Sequence, residues 1–155
     1  LKETVTFMDR VTKGSAGRKP TFSLSTRPIL AETEDKAWDR AHRILDRVME
    51  RWGGMPAPKP DNVGSRRLLV AAAEGEVHDS CLWTKLAVAT GARGNSTALV
   101  GTPDTVAEAM VEYCKLGASS LLIRGYDPRP DAEQYGAELI PRVRELVAKV
   151  DAGAL

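Results

Sequence analysis

Neither sign of charge dominates this chain: 22 Lys and Arg stand against 21 Asp and Glu, a formal charge of +1. So close a balance gives no global attraction to nucleic acid or to an anionic membrane surface, and the Arg66-Arg67 pair is too small to change that. No apolar run approaches the roughly 18–20 residues that a membrane span requires. The opening LKETVTFMDRVTKG is charged and has no apolar core, so this stretch is not expected to be a secretory signal. Cys81 and Cys114 are the only cysteines and neither has metal-ligand spacing, so they read as buried free thiols in a reducing cytoplasm. Histidine is equally scarce. His42 lies between Arg40 and Arg43 on a polar helix face, and His78 can pair with Asp79, but nothing else converges there. No metal site follows. GARGNS is glycine-rich but lacks Gly-Lys-Ser/Thr and precedes a strand, so it is not a phosphate loop.

What is present is an ordinary globular composition, 43% hydrophobic and 28% charged over 155 residues, enough for one domain with a core. Val5, Phe7, Met8 and Val11 form a short amphipathic piece, and 14–20 (GSAGRKP) reads as a turn or linker. Thr21–Ala31 alternates as a strand, with Phe22, Leu24 and Thr26 on one side and Ser23, Ser25 and Arg27 on the other. Pro28 cannot donate to a ladder, so regular pairing is expected to end near Arg27. Thr33 is a helix N-cap with Glu34 and Asp35 behind it. The following helix buries Ala37, Trp38, Ala41, Leu45, Val48, Met49 and Trp52. Residues 53–64 and 91–96 are expected to be mobile loops, the first with three prolines. A second helix covers Ser65–Ala73.

The last third is the most regular. Thr97–Val100 is a strand, and Thr102-Pro103-Asp104 starts a helix that Gly117 stops. Ser119–Ile123 is a second strand, short and apolar enough for the interior of a parallel sheet. A helix then runs from about Asp131, and Pro141 should kink it. This β-α-β-α order predicts an α/β fold with parallel strands and crossover helices. Function in such units sits at the strands' carboxyl ends, here Gly101-Thr102 and Arg124-Gly125-Tyr126.

TALVGTPDTVAEAMVEYCKLGASSLLIRGYDP, with the upstream CLW and TFSLSTRPILAETEDKAWDRA, resembles the carboxyl-terminal half of bacterial-luciferase-like flavin monooxygenases, in their alkanesulfonate monooxygenase branch. The resemblance spans roughly Phe22 to Val147. It implies a (β/α)8 TIM barrel of which this chain supplies the carboxyl-terminal portion, with Thr21–Ala31, Thr97–Val100 and Ser119–Ile123 as the last three strands. A whole barrel takes about 250 residues. The chain, which begins at Leu1 and forms a single unit over 1–155, therefore reads as lacking the amino-terminal half. An open three-stranded sheet exposes two unpaired edges and an apolar face, which implies a homo-oligomer or the missing half as partner.

The same resemblance proposes site residues. Tyr126 matches the tyrosine of the family's Gly-Tyr tip; its phenol either donates a hydrogen bond during oxygen chemistry or covers the barrel rim. In the alkanesulfonate branch the strand tip at 25–27 carries an arginine followed two residues later by a histidine; here those positions are Ser25 and Arg27. Arg27 cannot act as a base at neutral pH, but it can grip a sulfonate, carboxylate or flavin phosphate. Arg93, flanked by glycines, lies near a family arginine that closes over substrate. Trp83 reads as packing and Arg124 as a surface charge. No cofactor-binding residue is assigned.

The resemblance implies part of a two-component monooxygenase, expected in the cytoplasm. It would take reduced FMN from a separate reductase and, with O2, oxygenate a small organic substrate of the sulfonate type. Two alternatives remain: a deazaflavin-dependent hydride-transfer enzyme of the same superfamily, or a catalytically silent half-barrel serving packing or dimerisation. The isolated chain is expected to be inactive.

Overall fold

In a computed structural model that describes residues 2–16, 18, 21–52, 60–94 and 97–154, one strand organises everything else. That strand, β1 (Phe22–Leu30), follows helix α1 (Lys2–Gly14) and leads into α2 (Glu34–Trp52). Next come α3 (Val63–Glu74), a hairpin of β2 (Val77–His78) and β3 (Leu82–Trp83), and α4 (Lys85–Thr90). Then β4 (Ala98–Gly101), α5 (Pro103–Lys115) and β5 (Ala118–Ile123) complete the sheet. The chain ends in α6 (Pro128–Gln134), a π-helical turn (Tyr135–Leu139) and α7 (Ile140–Asp151).

The sheet order is β2-β3-β4-β1-β5. β1 runs parallel to β4 through Arg27–Leu30 and parallel to β5 through Phe22–Thr26. β3 closes the outer edge of β4 in antiparallel fashion. The predicted parallel pairing is present, but the order is not that of a barrel segment, where β4 would stand between β1 and β5. Alternation and crossover length specify that a strand joins in parallel; they do not specify which edge of β1 it joins. The chain steps from β1 to β4 in one direction and from β4 past β1 to β5 in the other. Right-handed crossovers in opposite directions put helices on opposite faces. Accordingly α2 and α4 pack on Ile29, Ala98 and Val100, while α5 and α7 pack on the face of Leu30 and Leu99.

Local signals decide most helix ends. Thr33 Oγ1 accepts from the Lys36 N–H, and Thr102 Oγ1 accepts from the Thr105 N–H at 3.2 Å. Gly117 follows α5 with φ 102°, a conformation that costs a Cβ-bearing residue dearly. On α2, Ala37, Ala41 and Leu45 are buried as the spacing predicts, Ile44 joins them, and Met49 is 53% exposed. The stripe drifts off the sheet as the helix runs on. The helix expected near residue 65 begins at Val63, with Asn62 as its cap. The β2–β3 hairpin and α4 have only two and six residues, too few for periodicity to reveal. Near Pro141 the chain widens into the π-helical turn one position before α7, which makes room for the ring and the lost N–H.

Pro28 does not end the strand. Backbone N–H groups of Arg27 and Ala31 donate to Thr97 and Gly101 on the β4 side, at 2.8 and 3.4 Å. Residues of the other parity face β5, and the Arg124 N–H donates to the Thr26 carbonyl there at 3.3 Å. Pairing with β5 stops at that level, so the N–H that Pro28 lacks would have had no strand to meet. The carbonyls beyond still need donors. Tyr135 Oη supplies one to Pro28, and Arg40 Nη1 supplies one to Leu30 at 3.0 Å. Two side chains thus finish an edge that β5 is too short to cover.

Of the expected mobile loops, residues 53–59 and 95–96 lie outside the described residues, as do 17 and 19–20 of the linker and the side chains of Val5, Met8 and Trp52. Residues 91–93 are hydrogen-bonded: Gly91 caps α4 with φ 61°, and the Ala92 N–H donates to Ala87 at 2.7 Å. Tyr135→Phe should cost about 1–3 kcal/mol, because the buried Pro28 carbonyl loses its donor without any change of shape. Urea unfolding checks this; a loss below about 0.5 kcal/mol, no more than an ordinary surface change, would show that the hydroxyl is not what satisfies that edge.

Candidate functional site

β5 ends level with the middle of β1, so its tip, residues 124–127, meets β1 at Arg27. The Arg27 side chain lies on the α2 face and is only 8% exposed. Its Nη1 donates to the Gly125 carbonyl at 2.8 Å, and its Cζ stands 5.4 Å from the centre of the Tyr126 ring. A guanidinium over an aromatic face is attracted by the ring quadrupole. Burial lowers the Arg27 pKa below the usual guanidinium range, with Tyr126 opposing and Arg124 adding to the fall. Burial likewise drives the Tyr126 hydroxyl well above the ordinary tyrosine value, against the pull of Arg27. Tyr126 therefore keeps its proton at neutral pH. It can donate a hydrogen bond and cannot serve as a base.

The other side of the tip is fixed by α6 and α2. Asp131, 1% exposed, pairs with Arg40 Nη2, and its Oδ2 accepts from the Asp127 N–H at 3.0 Å. Asp127 also faces Arg47, at 3.4 Å. Between these groups Gly125 has no room: a Cβ there would lie 2.3 Å from Asp131.

A cleft of about 450 Å³ opens where this tip approaches α2 and α4. Ile44, Val48 and Leu86 give it an apolar wall, and Arg47, Arg51 and Arg93 give it three guanidiniums. Tyr126 and Asp127 form its inner end. Arg47 is engaged by Asp127, whereas Arg51 and Arg93 have no ion-pair partner among the described residues. An apolar floor with converging cations suits a planar organic ligand that carries an anionic group.

The structure therefore gathers some sequence-predicted residues and not others. Arg93 and Tyr126 share the cleft. Arg27 sits behind Tyr126 and is committed to Gly125. Ser25 is on the same face of β1, but it is exposed, pairs in register with Leu122 and does not line the cleft. Trp83 is core, 1% exposed, with Trp38 and His42 edge-on to it. Arg124 is exposed, as expected. The second predicted tip, Gly101-Thr102, is occupied from within: Glu34 Oε1 accepts from the Thr102 N–H at 3.1 Å and from Thr105 Oγ1. His78 Nε2 meets the Gly75 carbonyl at 2.8 Å. Arg47, Arg51 and Asp131 were missed by sequence reasoning. The arginines recur on one face of α2, a signal that could have been read; Asp131 offers none.

A smaller cleft of about 270 Å³ lies on the opposite face, lined by Asp79, Cys81, Leu99, Ala109 and Tyr113. Burial pushes the Cys81 thiol up to about 11, and it drives the Tyr113 hydroxyl well above its usual value. Among the described residues no group of three or more His, Cys, Asp and Glu side chains can hold a metal, and no helix is long and apolar enough to cross a membrane.

A model of the luciferase-like monooxygenase family matches residues 1–120. That is well over half of the chain, which belongs to this family. The match takes in Arg27, Arg47, Arg51 and Arg93 and stops just short of the β5 tip. The mixed α/β architecture, with its mainly parallel sheet and flanking helices, fits that membership.

Two outcomes follow. Gly125→Ala should destabilise the protein by about 1–3 kcal/mol through overpacking against Asp131, read by thermal unfolding; an unchanged midpoint would contradict the tight approach. Burial raises both thiols, Cys81 up to about 11, so at pH 8 a soluble disulfide reagent should label half-buried Cys114 before the fully buried Cys81. Because folding raises the Cys81 value, its contribution to stability holds below the unfolded pKa and fades as pH climbs through about 11. Equal labelling rates at pH 8 would contradict this environment.

Proposed function

We propose that this chain forms part of a flavin-dependent monooxygenase that oxygenates a small anionic organic compound of the sulfonate type. Reduced FMN would come from a separate reductase, with O2 as co-substrate. One observation carries the reading: in a luciferase-like chain, Tyr126, Arg51 and Arg93 line a single cleft with an apolar wall. Its volume, about 450 Å³, lies within the range typical of small-molecule sites.

The residues present fit a flavin and an anionic substrate. Ile44, Val48 and Leu86 would pack against a planar ring, and Arg51 and Arg93 would hold negative groups. Reduced flavin, when bound, supplies the electrons for oxygen activation. The chain's own contribution is positional. Tyr126 stays protonated at Oη and lines the cleft, where it would donate to an oxygen atom that gains charge. Arg27 holds the Tyr126 ring and the Gly125 carbonyl, and so acts through the tip instead of gripping substrate. Arg93, which lines the cleft with Arg51, would hold an anionic group of the substrate there.

A packing or dimerisation role is favoured by a different observation. β5 is the sheet's outer strand and Leu122 is 54% exposed, so that surface remains open to another strand.

The test uses the intact protein with photoreduced FMN, oxygen and a series of short alkanesulfonates. Oxygen uptake that depends on the sulfonate and releases sulfite is expected, and Arg93→Ala should raise KM about tenfold or more with a smaller effect on kcat. Uncoupled peroxide formation with every sulfonate would sink the reading. Activity only with a deazaflavin would replace oxygenation with hydride transfer.

A further inference from the structure

A phenol serves a reaction only when its backbone cannot drift, and Tyr126 is held from two sides. Arg27 fixes one side of the tip: it binds the Gly125 carbonyl and covers the Tyr126 ring. The opposite side belongs to Asp131. Its Oδ2 accepts from the Asp127 N–H at 3.0 Å, and its Cβ, Cγ and Oδ2 fill the space against which the Cα of Gly125 is pressed. Asp131 thus contacts both residues that flank Tyr126. It is fully buried and its second oxygen is taken by Arg40, which also donates to the Leu30 carbonyl. A buried carboxylate is tolerable only with such partners. Here the partners lead in one direction to the edge of β1 and in the other to the tip.

We propose that Asp131 is a positioning residue for Tyr126: clamped by Arg40, it sets the backbone at Gly125 and Asp127 so that Tyr126 stays between Arg27 and the α2–α4 cleft. The role deepens the monooxygenase reading and rests on it for its functional consequence. The geometric part stands without it. Size is constrained as well as charge. A longer acid has no space beside Gly125, and an amide keeps one acceptor but turns donors toward Arg40.

The experiment labels the full chain with 3-fluorotyrosine, whose three sites, Tyr113, Tyr126 and Tyr135, give separate 19F resonances. Single Tyr→Phe variants assign them. Each resonance is followed against pH in the wild type, Asp131→Ala, Asp131→Asn and Arg40→Lys. Around Tyr126 the charged groups are Arg27 on its ring, Asp127 next in the chain, and Arg47, Arg51 and Arg93 across the cleft. In the wild type Tyr126 should titrate far above free 3-fluorotyrosine. In Asp131→Ala its midpoint should fall toward that of free 3-fluorotyrosine as the tip opens to water, with Asp131→Asn and Arg40→Lys in between. Tyr113, remote from the tip, should hold its midpoint and thereby report an intact fold. A Tyr126 midpoint unmoved in Asp131→Ala, or one that falls only together with Tyr113, would overturn the proposal.

A second arm titrates oxidised FMN into the same proteins by fluorescence quenching. Asp131→Ala should bind about tenfold more weakly than the wild type, a loss that Asp131→Asn partly restores. Equal affinities for all variants that do bind would overturn the functional half of the inference. If the wild type itself binds no FMN, the cleft reading fails, while the Tyr126 titration still decides whether Asp131 positions the tip.

Discussion

β5 stops short, and much of the molecule's distinctive chemistry answers that fact. Beyond Thr26 the β5-facing edge of β1 continues through Pro28 and Leu30 with no neighbouring strand. Buried carbonyls without donors cost a folded protein dearly. The chain meets the need with Tyr135 and Arg40, which lie in the π-helical turn and in α2. Pro28 fits the same place because it has no N–H that would also need a partner. The carboxyl-terminal segment is therefore drawn across the end of β1 instead of docking against an outer helix layer alone.

That demand generates the site. Arg40 can cap Leu30 only if its charge is balanced in a largely dry setting, and Asp131 supplies the balance. Asp131 in turn needs a second donor, which it finds in the Asp127 N–H. The tip between them is compressed enough that residue 125 has to be glycine. Arg27, on the same strand, completes the enclosure from the other side. A structural requirement at one strand edge and a rigidly held tyrosine at a cleft are thus two ends of one set of contacts. The guanidiniums of Arg51 and Arg93 lie outside this set, among the described residues, and remain available to a ligand.

How much of this the sequence discloses depends on range. Thr102-Pro103-Asp104, Gly117 and the Thr33 cap act over three or four residues, and each is readable where it stands. The parallel sense of β1, β4 and β5 follows from the length of the crossovers between them. The order of those strands does not follow, because both edges of β1 accept a parallel partner. Pro28 misleads for a related reason: its effect depends on which neighbour its ring faces. Asp131 is separated from Arg40 by 91 positions, and no local pattern marks either as the other's counterion. Ser25 and Arg27 are legible as sharing a face, yet strand stagger leaves one in the open and the other beneath Tyr126. The family resemblance points to Arg93 and to Tyr126 separately; that both line one cleft is visible only in three dimensions.

The central claim is that ligand chemistry belongs to the cleft bounded by α2, α4 and the β5 tip. Amide NMR spectra recorded while oxidised FMN is added to the 15N-labelled chain test it most directly, since even weak binding displaces resonances. Shifts confined to residues 44–51, 86–94 and 125–127 are expected. Shifts centred on the cleft between Asp79 and Tyr113, or on Ser25 with Tyr126 unmoved, would contradict the account.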